Sequence, residues 1–104
     1  MIRVKRVEVP SGDTDFSSQG FTHSRVARSE TWQVSLVTLD GVIGGHEAAS
    51  RQLLVVLSGR VLCTTPEEHT EVGAGEAVEW QNGEWHETRS VEPARLLIVE
   101  GHSE

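Results

Sequence analysis

Between residues 31 and 101, short apolar segments are cut by turn residues about every eight to twelve positions, the spacing of an all-β sandwich or barrel. The segment from Thr31 to Leu39 stops at the Asp40–Gly41 pair, and the run from Gln52 to Leu57 stops at Ser58 and Gly59. The next segment, residues 60–65, closes at Pro66 and an acidic turn, and residues 94–100 form a last strand ended by Gly101. No stretch carries the 3.6-residue apolar period of an amphipathic helix, so the expected fold class is all-β. In the run 52–57 both faces are apolar, because Leu53, Val55 and Leu57 alternate with Leu54 and Val56. A strand of this kind lies between two packed layers. The second layer is expected from an N-terminal strand, a second copy of the chain, or both.

Ahead of this region, residues 2–9 alternate apolar and charged side chains and are expected as a half-exposed strand ended by Pro10. Residues 11–30 are polar, show no period and are expected as a long loop, with Phe16 and Phe21 as its large apolar side chains and His23 within it. The chain of 104 residues suits one domain, with the barrel at about 31–101. A net charge of −7 makes nucleic acid a poor partner. No apolar run has membrane-spanning length, and a single cysteine, Cys63, permits no internal disulfide, so a cytoplasmic location is expected.

Two histidines stand out by their offsets. His46 opens His-x-Ala-x-x-x-Gln, which is followed by six residues and Gly59. Gly75 opens Gly-Glu-x-Val-x-Trp-x-x-Gly-x-x-His, which ends at His86. In order and spacing this pair resembles the two motifs of the cupin superfamily. The resemblance implies a small double-sheet β-barrel, a jelly roll, with a pocket at its centre. In metal-binding cupins two histidines and a glutamate of the first motif act with the histidine of the second. Position by position, His46 and His86 match the outer histidines, Gln52 stands for the glutamate, and Ala48 occupies the place of the remaining histidine.

The resemblance therefore implies a divalent transition metal (zinc, nickel or iron) weakly held by His46, Gln52 and His86, because an alanine ligates nothing and a neutral amide is a weak ligand. Ala48, Trp80 and Trp85 are expected to line the pocket beside them, whereas Trp32 is expected to pack into the core, and Glu47 and Glu87, each next to a histidine, to point outward. Two function classes follow: a metal-binding cupin acting on or binding a small organic molecule, or a metal-free small-molecule binding or accessory module without catalysis. No catalytic residue is singled out, and the histidines are the only acid–base groups expected on the inner face. A modest core and the doubly apolar run 52–57 favour a homodimer.

Overall fold

The computed structural model describes residues 2–3 and 19–101. Six strands follow one another: β1 (Gln19–Arg28), β2 (Trp32–Glu47), β3 (Arg51–Thr64), β4 (His69–Gly73), β5 (Ala77–Trp80) and β6 (Trp85–Gly101). Every pairing is antiparallel, in the order β1-β2-β6-β3-β4, with β5 joined to β3. The fold is all-β, as the turn spacing implied, and it is a jelly roll. Among the described residues no helix is long and apolar enough to cross a membrane.

The long strands close into a barrel because they bend. Register shifts interrupt β2 between Leu39 and Val42 and between Ile43 and His46, and interrupt β3 between Val56 and Arg60. An extra residue in one strand increases its local twist and turns it, so one hydrogen-bonded sheet curls over its own face. Val37, Leu39, Leu54, Val56, Val61 and Leu96 fill the space between the two halves. Leu54 and Val56 point inward, while Leu53 and Leu57 of the same strand stand exposed on the outer face. Among the described residues nothing covers that outer face.

Two expectations change here. Residues 19–28 form β1 rather than part of a loop, pairing along β2 from Gln19 with Val42 to Arg28 with Gln33. The strand escaped the sequence pattern because its inward side carries His23 and Arg25 beside Phe21, so hydrophobic alternation is absent. Trp32, expected to pack into the core, is exposed. The expected strand at 2–9, apart from Ile2 and Arg3, and residues 11–18 of the expected loop lie outside the described residues.

Candidate functional site

Antiparallel pairing of β2 with β6 sets His46 directly opposite His86. Their ring centroids lie 4.6 Å apart at an interplanar angle of 57°. The register shift between Ile43 and His46 lets both of these side chains reach the same cavity, although an odd spacing on a regular strand would send them to opposite faces. In each histidine Nδ1–H donates to the backbone carbonyl two residues upstream: to Gly44 over 2.9 Å from His46 and to Glu84 over 3.1 Å from His86. A carbonyl only accepts, so each Nδ1 carries a hydrogen, and in the neutral ring the lone pair then lies on Nε2.

His86 is 3% exposed. Burial depresses its pKa, and His46 lowers it further, against the opposing influence of the Glu84 carbonyl and charge. A neutral imidazole at ordinary pH is the result. Trp80, at 4% exposure, stacks on His86 with ring centroids 4.4 Å apart and an interplanar angle of 11°.

The cavity into which the histidines face has a volume of about 400 Å³. Phe21, Val37, Ile43, Leu54 and Ile98 supply its apolar wall, and His23, Arg25, Gln33, Gln52, Thr88 and Glu100 are polar residues along it. Small-molecule sites have this character: concave, partly apolar, with a few convergent polar groups. Glu100 is placed by its neighbours. Gln33 of β2 and Gln52 of β3 are its register partners on either side, and each donates a side-chain amide to it: Nε2 of Gln33 to Oε1 over 2.6 Å, and Nε2 of Gln52 to Oε2 over 3.1 Å.

Of the residues expected at the site from sequence, His46, Gln52 and His86 come together in one cavity wall. Ala48, Trp80 and Trp85 do not form that wall. Ala48 is buried in the turn before β3, where its backbone pairs with Gly83 and Glu84. Trp80 backs His86, and Trp85 lies partly exposed against Gly45, where a Cβ would collide with its indole. Glu47, expected to point outward, is among the residues that line the cavity. Cys63 is buried, and burial pushes its thiol pKa up, as suits a small core residue rather than a nucleophile.

Sequence reasoning missed His23, Arg25, Gln33 and Glu100. Glu100 shares strand parity with Ala94, Leu96 and Ile98, the inward positions of β6, but the equally apolar Leu97 and Val99 mask that signal.

Among the described residues no three His, Cys, Asp or Glu side chains converge as a metal site. The set His46, His86 and Gln52 therefore does not fit a closed structural centre, which takes four strong ligands. Two imidazoles and an amide are the residues along this wall that could hold an ion with open positions. Both imidazoles have Nδ1 anchored, as metal-ligating histidines do. The amide nitrogen of Gln52 is engaged by Glu100, which leaves its carbonyl oxygen as the donor atom for an ion.

The cupin domain family matches residues 35–100, the span that contains both histidines, Gln52 and Glu100. The chain belongs to the cupin domain family. Solved structures share its fold at low identity. The polyketide cyclase RemF from Streptomyces resistomycificus superposes with a TM-score of 0.83 at 21% identity, covering 99% of this chain and 80% of that one. KdgF from Halomonas sp. gives 0.74 at 19% identity, covering 82% of each chain. A cupin-2 domain protein from Rhodospirillum rubrum gives 0.80 at 14% identity, covering all of this cupin and 75% of that chain. Comparison with curated proteins gives no match.

Proposed function

We propose that this cupin takes a small organic molecule into its barrel and meets it with the paired imidazoles of His46 and His86. One observation carries the reading: two backbone-anchored imidazoles stand opposite each other, tilted by 57°, in the wall of a cavity of about 400 Å³. That volume exceeds the roughly 150 Å³ which holds a benzene ring in an apolar cavity, so a molecule of one to three rings has room. The likeness to a polyketide cyclase is consistent with such a ligand and adds nothing about turnover.

A divalent transition metal belongs to this reading as a weakly held partner. His46 and His86 would hold it through Nε2, with Gln52 through its carbonyl oxygen. When bound, such an ion supplies Lewis acidity toward an oxygen of the ligand. The chain's own contribution is separate: Trp80 and the Glu84 carbonyl fix the His86 ring, burial keeps it uncharged, and the apolar wall excludes water from the ligand. A second reading, a metal-free binding module, is favoured by Ala48, which leaves one ligand position without a donor.

Zinc titration by calorimetry, together with methyl NMR of Ile43, Leu54 and Ile98, tests both parts. The expected result is one zinc per chain, bound weakly and lost in both His46→Ala and His86→Ala, with methyl shifts on addition of naphthalene-2,3-diol. Methyl shifts without any zinc heat select the metal-free module. No methyl shift refutes the pocket.

A further inference from the structure

The cavity contains a carboxylate that the histidine pair does not explain. Glu100 lies fourteen positions beyond His86 on the same strand, yet the curl of β6 returns it to the same cavity. Its two carboxylate oxygens each accept one amide N–H, from Gln33 and from Gln52. Three strands thus converge to hold this one group in a single orientation.

The chemistry of that arrangement is specific. An ionised carboxylate has about four lone-pair positions, and two amides occupy two of them. Both amides are neutral, so they orient the carboxylate without cancelling its charge. Among the described residues no ion pair joins Glu100 to Arg25, the arginine of the same wall, which is itself exposed. Glu100 therefore presents remaining acceptor positions beside an apolar surface formed by Leu54 and Ile98. Hydrogen bonds to a charged acceptor in such surroundings are stronger than neutral ones, and a ligand anion is repelled.

We propose that Glu100, fixed by Gln33 and Gln52, is the acceptor that selects hydroxyl-bearing aromatic ligands for this cavity and rejects aromatic carboxylates. The inference rests on the small-molecule reading of the pocket and adds the ligand class. The ring lies along the apolar wall, and one or two hydroxyl groups donate to the Glu100 carboxylate. Gln33 and Gln52 are positioning residues that keep the acceptor from turning toward solvent.

The test compares naphthalene-2,3-diol with 2-naphthoate in the presence of a chelator, read by the methyl signals of Ile43 and Leu54 and the side-chain amide signals of Gln33 and Gln52. The diol is expected to bind about tenfold or more tighter than the carboxylate. It should move both amide signals, and Glu100→Gln should erase the preference. If the methyls report binding but the diol has no advantage, or if Glu100→Gln leaves its affinity unchanged, the assignment of Glu100 is overturned while the pocket stands. If neither compound shifts the methyls, the pocket reading fails and this inference fails with it. Should Glu100→Gln not fold, the wild-type amide signals decide: amides unmoved by bound diol overturn the proposal.

Discussion

The indole of Trp80 lies nearly parallel to the imidazole of His86, at a centroid separation of 4.4 Å. It closes the face of the ring behind the cavity wall, while the Glu84 carbonyl holds Nδ1. The two contacts leave His86 a single orientation. The position of the imidazole is thus set by groups that lie behind the cavity wall.

Trp80→Leu should release that ring. Loss of a buried aromatic in exchange for a smaller side chain is expected to cost roughly 2–4 kcal/mol of stability, read by chemical denaturation. The same variant should bind zinc more weakly than the wild type, because His86 gains rotational freedom that binding must remove. Zinc affinity equal to the wild type in a folded Trp80→Leu protein would show that the stack does not position His86.

The depressed pKa of His86 gives stability a defined pH dependence. In the unfolded chain this histidine takes up a proton near its ordinary value of 6.5, whereas in the folded barrel it resists protonation to lower pH. The unfolded state therefore binds more protons across that interval, and stability falls as pH drops below about 6.5. Denaturant midpoints measured with chelator from pH 8 to pH 5 should decline in the acid half of the range. His86→Gln should flatten that decline.

On the outer face of the sheet, Leu36 pairs across to Leu97, which pairs on its other side with Val55, and Leu53 pairs with Val99. Leu36 and Leu53 are each 39% exposed and Leu57 48%. We propose that a second copy covers this face, as the doubly apolar run 52–57 implied. Light scattering should give twice the chain mass of 11.4 kDa for the wild type and the single-chain mass for Leu53→Glu. A wild-type monomer at micromolar concentration would exclude the dimer.

Gly59 and Gly83 share a left-handed backbone, at φ 82° and 86°, but differ in surroundings. A Cβ at Gly59 would collide with the carbonyl of Pro93, whereas a Cβ at Gly83 meets nothing within 4 Å. Gly83→Ala should cost about 1–2 kcal/mol for backbone strain alone. Gly59→Ala should cost more, because the steric clash adds to the same strain, and urea unfolding of the two variants measures the difference.

The pairing of His46 with His86 was legible because the two motifs keep fixed offsets, to Gly59 and from Gly75, that survive in a single sequence. Glu100 was not, since Leu96, Leu97, Ile98 and Val99 make both faces of its strand apolar and hide which parity points inward. β1 was hidden for the opposite reason: its inward face lines a polar cavity, so His23 and Arg25 replace the apolar residues that would mark a strand. Trp80 was expected beside the ligand because strand parity groups it with Val78; which residue an indole stacks upon depends on three-dimensional packing that spacing does not encode.

The central place of β6 has a kinetic consequence. Its pairings with β2 span from 38 residues, Glu47 with Trp85, to 69 residues, Trp32 with Gly101. The chain must surrender the freedom of those long intervening segments before the contacts repay it, which places folding on the slow, millisecond-to-second side for a domain of this size. The β1–β2 and β3–β4 hairpins can each form from neighbouring residues, but neither has any hold on the other until residues 85–101 lie between them.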